Sequence, residues 1–289
     1  MKRLIVILGV AATATSAILV RYSTAPSLVL VMYRMLLTVA LLAPPTLLKN
    51  RQELKALQRR DWLLCAVSGI FIGLHFAAYF EALKWTSIAA AVVLADTEVL
   101  FVAFATVLIF RRKLSGKAWI AIWLAFGGSI VIAAAETTAG ADPLRGNLLG
   151  LVSAMLMAVY TMIGSVCRKR VSTTVYTFLV YGMAGLTVTT VAIFSGTQMT
   201  NIGAMNWAIC LGLAIFPTLL GHSVFSWGLK YLPPTFISTA KLLEPVLAAV
   251  MGWLLFRENP GWQVVVGGVI VVVGIALYGR VEAAEKEEN

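Results

Sequence analysis

Charge is scarce in this chain of 289 residues, with Asp, Glu, Lys and Arg together making up 12% of it. A soluble domain carries about 25%. Polar stretches are equally scarce: the longest, KNRQELKALQRRD at residues 49–61, reads as a loop, so no soluble domain fits between the apolar runs. Cysteine is limited to Cys65, Cys167 and Cys210. They are odd in number, sit in apolar runs and lack metal-ligand spacing, which points to packing rather than redox or metal chemistry. Ser115-Gly116-Lys117 resembles the end of a phosphate-binding loop, but the upstream glycine position holds Arg111. With no nucleotide, metal or hydrolase motif, no cofactor and no ATP-driven motor are expected. Energy for any work then comes from a gradient or from the substrate itself.

What is abundant is hydrocarbon. Hydrophobic residues make up 60% of the chain, and its mean hydropathy is +0.89. Runs of ~17–25 apolar residues cross a bilayer as helices. Ten such helices are predicted, at 4–20, 27–48, 62–83, 87–110, 117–135, 147–167, 173–194, 207–229, 235–256 and 261–279. Lys2, Arg3 and the Ala12-Thr13-Ala14 triplet imitate a secretory signal, but the apolar run continues to Val20 and reads as a membrane span.

The net charge of +10 does not indicate nucleic acid, because the basic residues flank helix ends. With a cytoplasmic N-terminus, 17 of them fall in inside segments and 4, Arg21, Lys84, Arg145 and Arg257, outside. That asymmetry predicts a multi-pass cell-membrane protein of the bacterial inner-membrane type, with both termini cytoplasmic. The acidic end, EAAEKEEN, is expected to be a short disordered tail.

The chain also repeats itself. Sliding residues 82–112 onto 228–258, an offset of 146, matches Leu83 with Leu229, Lys84 with Lys230, Glu98 with Glu244 and Arg111 with Arg257, among seven identities. Three of the seven are charged, and charge is rare here. Residues 1–140 and 141–280 are thus expected to be two five-helix repeats, with 281–289 as the tail. An odd number of spans inverts the second copy, an arrangement found in secondary transporters with a site near the midplane.

Two stretches carry a family resemblance, YFEALKWTSIAAAVVLADTEVLFVAFATVLIFRRKLSG and FSWGLKYLPPTFISTAKLLEPVLAAVMGWLLFRENPGWQVVVGGVIVVVGIALYG. Each has a small-residue-rich helix after a Leu-Lys pair. The second adds Glu244-Pro245, Phe256-Arg257-Glu258 and a helix with Gly267, Gly268 and Gly274. This resembles the EamA-type transporters of the drug/metabolite transporter superfamily. The first stretch departs from the pattern, with Val99 in place of the proline and Arg112 where glutamate is common. The resemblance implies an all-α membrane fold of ten helices in two inverted repeats, alternating access, and export of amino acids or other small metabolites.

Charges at membrane depth are the candidate site. A charge at the bilayer centre costs about 2.5–3.5 kcal/mol on insertion scales, so the bland alternative for each is snorkelling or structural pairing. Glu81 lies near an outer helix end and takes the bland reading. Glu98 and Glu244 occupy equivalent repeat positions and are the leading candidates for substrate or proton binding. Asp96 and Glu98 point about 200° apart on a regular helix. They share one cavity only if the helix breaks; otherwise Asp96 or Glu98 meets a neighbour such as Arg34. Lys241 and Glu244 share a face, and either neutralise each other or present opposite charges to a zwitterion. Pro245 is the predicted helix break, freeing the Lys241 carbonyl.

His75 and His222 are either hydrogen-bonding residues or a proton relay. Tyr79 and Trp227 are either cavity aromatics or interfacial anchors. Gly69-x3-Gly73 and Gly146-x3-Gly150 read as close helix packing.

The expected function is secondary export of a small polar metabolite, an amino acid or related zwitterion. Proton exchange at Glu98 or Glu244 would drive it, since apolar surroundings disfavour a charged carboxylate. The expected partners are that small molecule, the lipid bilayer and protons, with no nucleic acid. The alternatives are efflux of lipophilic cations or drugs, a membrane-embedded enzyme, and a non-transporting scaffold. The chain is not expected to be an enzyme, because no nucleophile–base pair accompanies the mid-span charges.

Overall fold

Long apolar runs leave one way to satisfy the backbone in hydrocarbon, which is to close every N–H and C=O inside a helix. The computed structural model of the protein describes residues 1–86, 88–134, 141–257 and 261–287. These residues form helices and connecting turns, with no strand among them. Ten helices are long and apolar enough to cross a membrane. They are α1 (Lys2–Arg21), α2 (Ser27–Lys49), α3 (Arg59–Trp85), α4 (Ala90–Leu108), α5 (Gly116–Ala133), α6 (Pro143–Cys167), α7 (Thr173–Phe194), α8 (Gly203–Gly228), α9 (Pro234–Leu255) and α10 (Trp262–Glu285). The protein is a multi-pass membrane protein.

Capping side chains start several spans. Gln58 and Asp61 form a reciprocal box at the head of α3. Ser115, the residue that opens the false phosphate-loop motif, accepts from Ala118 N and caps α5. Asp142 and Ser172 do the same for α6 and α7.

The helices share two main cores. One lies among α2, α3, α6 and α7 around Met35, Ile72, Tyr176 and Tyr181. The other lies among α1, α4, α5, α8, α9 and α10 around Val6, Ile122, Ile237 and Val271. Without a hydrophobic force between helices in lipid, close packing of small residues holds such contacts. At Gly69 a Cβ would sit 2.5 Å from the Val180 carbonyl, and at Gly146 it would sit 2.6 Å from Thr86, so both predicted glycine spacings are close contacts. The tightest sits elsewhere, where α10 crosses α5: a Cβ on Gly274 would lie 2.5 Å from Ala125 N. Large apolar side chains such as Leu8, Ile120, Leu186 and Trp253 face outward, as lipid contact requires.

The structure corrects four sequence expectations. The acidic end is not a disordered tail, because the last helix continues to Glu287. Glu282 there is bonded by Arg3, which also donates to the Gly279 carbonyl at 2.7 Å. Arg168, read as a loop charge, is buried. It donates to the Ser226 carbonyl at 2.9 Å and to Thr173 Oγ1 at 2.6 Å, and burial pushes its pKa below the ordinary arginine value. The 49–61 loop contains a short helix, Arg51–Ala56, whose Glu53 accepts from Ser172 N at 2.6 Å. Finally, Cys65 and Cys167 lie in contact, their sulfurs 3.5 Å apart within the first core.

Candidate functional site

The two helices that carry the repeated glutamates are each interrupted. In α4, one helical stretch ends at Asp96 and the next, Glu98–Leu108, begins after Thr97. Thr97 N is shared between the Val93 and Leu94 carbonyls, and its hydroxyl donates to Leu94 O at 2.5 Å. In α9, Pro234–Lys241 gives way to Glu244–Phe256 across Leu242 and Leu243, whose amides reach back only three residues. The predicted break at Pro245 thus falls immediately before it, with the proline in the first turn of the following stretch. There its missing N–H costs little. Glu98 and Glu244 each occupy the first residue of a half-helix, where the helix dipole favours a carboxylate. The break in α4, which has no proline, follows from Thr97 capturing a carbonyl of the preceding turn.

A third irregularity lies in α8, where Ala214–His222 winds as a π-helix around Pro217. Such widened turns re-aim side chains and leave backbone groups for other partners. Thr218 uses this freedom: its hydroxyl bonds Leu213 O at 2.8 Å and accepts from Arg34 Nε at 2.6 Å.

Around these irregular turns the intramembrane charges gather. Lys241 Nζ donates to both Glu98 oxygens, at 3.0 and 3.1 Å, and Thr161 Oγ1 of α6 donates to Glu98 Oε1 at 2.8 Å. Glu98 and Lys241 are 5% and 9% exposed, so this is a buried ion pair that joins α4 to α9. Lys241 is therefore not paired with Glu244, its neighbour on the same face, and Arg34 is not paired with Asp96.

Arg34, 3% exposed, lies 4.7 Å from the centre of the Phe76 ring, and its Nη2 has no hydrogen-bond partner among the described residues. Glu244 has the Thr13 hydroxyl beside it and lies within electrostatic range of Lys241 and Arg34. Asp96 keeps Oδ2 without a partner, next to Ser129 of α5.

The aromatic groups line the same region. Phe76 meets His222 edge-on at 5.5 Å, His222 meets Phe225 at 5.7 Å, and Lys241 lies 5.6 Å from the Phe225 ring. His75 Nδ1 bonds the Ser153 carbonyl at 2.9 Å, so that nitrogen carries the proton, and its ring stacks on Tyr79 at 6.2 Å. Asp96, Tyr79, His222 and Glu244 lie deep in the bundle yet keep partial exposure, which makes them the lining of an internal recess.

The EamA-like transporter family matches the chain twice, over residues 2–134 and 144–280. The chain belongs to this family. Its relatives include an uncharacterized transporter of Archaeoglobus fulgidus, 26% identical over 75% of this chain and 76% of its own length. Another is the uncharacterized transporter YxxF of Bacillus subtilis, 23% identical over 89% of this chain and 82% of the relative. A solved crystal structure superposes with a TM-score of 0.81 at 18% identity, over 96% of this chain and 95% of that one, and shares the fold.

In this EamA-family transporter, eight of the nine sequence-derived candidates cluster: Arg34, His75, Tyr79, Asp96, Glu98, His222, Lys241 and Glu244. Trp227 does not. It packs on Tyr231 at 5.0 Å, at the end of α8 beside Lys230. Glu81 bonds Lys84 at 2.6 Å and Trp85 at 3.0 Å, as a helix-end residue should. Sequence reasoning missed Thr161, Thr218, Phe76, Phe225 and Ser129. Each is an ordinary residue for a membrane helix, and only Pro217, in the middle of α8, marks the irregularity that positions Thr218.

Proposed function

We propose that the protein is a secondary active transporter that exports a small polar metabolite, an amino acid or related zwitterion, by alternating access. The reading takes residues 1–140 and 141–280 as two five-helix repeats of opposite orientation, with both termini in the cytoplasm. The double family match supports two repeats, as do the two interrupted helices 146 residues apart. The packing supports them too: exchanging α1–α5 for α6–α10 turns the α1–α8 and α1–α9 contacts into α6–α3 and α6–α4, which are also made.

The observation that carries the substrate class is the division of labour among the charges. Lys241 is engaged by Glu98, so the cation left to meet a ligand is Arg34, with an unpartnered buried Nη2. The anion left within its range is Glu244. A carboxylate on Arg34 and an ammonium on Glu244 would satisfy both, and a fork-shaped guanidinium suits a carboxylate better than an amine does. The aromatic lining of Phe76, His222 and Phe225 would take an apolar side chain.

Release of metabolites from cells with and without the protein tests the export claim. A rise in one or a few extracellular amino acids or related zwitterions is expected. Unchanged amino-acid levels together with raised resistance to lipophilic cations would replace it with drug efflux.

A further inference from the structure

Three carboxylates and two strong bases share the buried cluster: Asp96, Glu98 and Glu244 against Arg34 and Lys241. Lys241 answers Glu98 directly. Arg34 is the base left within range of Glu244. A zwitterionic substrate carries no net charge and leaves this count unchanged. One negative charge is therefore over, and it belongs to Asp96. Burying a carboxylate without a counter-charge is strongly unfavourable.

A second observation points to the same place. Ser129 on α5 is 2% exposed, its Oγ has no partner among the described residues, and it lies against Asp96, whose Oδ2 is also unpartnered. A buried hydroxyl and a buried carboxylate oxygen that face each other unsatisfied are a donor set for a small cation. The break at Thr97 adds to it, since backbone at an interrupted helix is available to coordinate ions at membrane depth.

We infer that Asp96 and Ser129 form a site for one monovalent cation, a proton or a sodium ion, that completes the charge balance of the cluster. The groups facing it are Tyr79 from α3, Glu98 from α4, and Lys241 and Glu244 from α9. Both interrupted helices bear on it, so occupancy is sensed at the two breaks. That makes it the coupling site in place of Glu98, which Lys241 already neutralises. The coupling role rests on the transport reading above, whereas occupancy of the site does not.

The experiment measures occupancy on the purified full chain without any flux assay. Infrared spectra would be taken over a pH series in choline chloride. Melting temperature would be followed as sodium chloride replaces choline chloride at constant ionic strength. If the cation is a proton, wild type shows the carbonyl band of a protonated carboxylic acid and Asp96→Asn removes it. If it is sodium, the melting temperature of wild type rises with sodium and that of Asp96→Asn does not. Wild type with neither response, or Asp96→Asn with the wild-type response, overturns the site. Should Asp96→Asn fail to fold, Ser129→Ala decides. A shifted acid band or a several-fold higher half-saturation for sodium supports the site, and wild-type behaviour overturns it. A protein that binds the cation but exports nothing would refute the transport reading alone.

Discussion

Lys241 and Glu98 make the most consequential single contact in the molecule, because neither has another source of charge compensation at comparable range. Removing one partner of a buried pair typically costs 3–5 kcal/mol, while replacing both can be nearly neutral. Lys241→Met alone is thus expected to lower the melting temperature sharply, and Lys241→Met with Glu98→Gln to recover most of the loss. Equal stability of the single and double variants would mean that the pair is not what compensates Glu98. The individual charges are legible in the sequence, since five ionisable residues in long apolar runs stand out. Their partners are not. Spacing along a helix points Lys241 at Glu244, three residues on, whereas its actual partner lies 143 positions away on another helix. Arg34 likewise finds Thr218 through a π-helical turn that shifts the side-chain register.

Among the elements, α4 and α9 are built alike with different chemistry. The proline that predicts a bend in α9 has no equivalent in α4, and there the break depends on a threonine hydroxyl, a commonplace residue in membrane helices. The ten spans themselves were readable, because apolar length is a direct consequence of bilayer thickness. Of their ends, the one most misplaced is that of α10, where helix formation outlasts hydrophobicity and the Arg3–Glu282 contact holds the extension.

Two substitutions separate bending from packing. Pro245 occupies a first-turn position, so Pro245→Ala should change stability by less than about 1 kcal/mol, read by thermal unfolding in detergent. Gly274→Val places a Cβ 2.5 Å from Ala125 N and should force α5 and α10 apart. Overpacking of this kind costs about 1–3 kcal/mol or more. A Gly274→Val protein that melts with wild type would show that the α5–α10 contact is looser than described.

At the scale of the whole molecule, orientation is the property on which export depends. With both termini in the cytoplasm, a cysteine placed at Arg145 faces outward and one at Arg112 faces inward. An impermeant maleimide on intact cells should label Arg145→Cys readily, and Arg112→Cys only after permeabilisation. The native thiols at 65, 167 and 210 are buried and give a low background. The reverse labelling pattern would turn the molecule over and make the same machinery an importer.

The account as a whole stands on recognition of a zwitterion between Arg34 and Glu244. The direct measurement is counterflow of radiolabelled amino acids into substrate-loaded proteoliposomes carrying wild type, Arg34→Lys or Arg34→Ala. Saturable counterflow of at least one amino acid by wild type is predicted. Arg34→Ala should abolish it, and Arg34→Lys should retain a reduced fraction with weaker apparent affinity, since lysine keeps the charge but not the fork. Wild-type counterflow that survives Arg34→Ala undiminished, or that occurs only with substrates lacking a carboxylate, would contradict it.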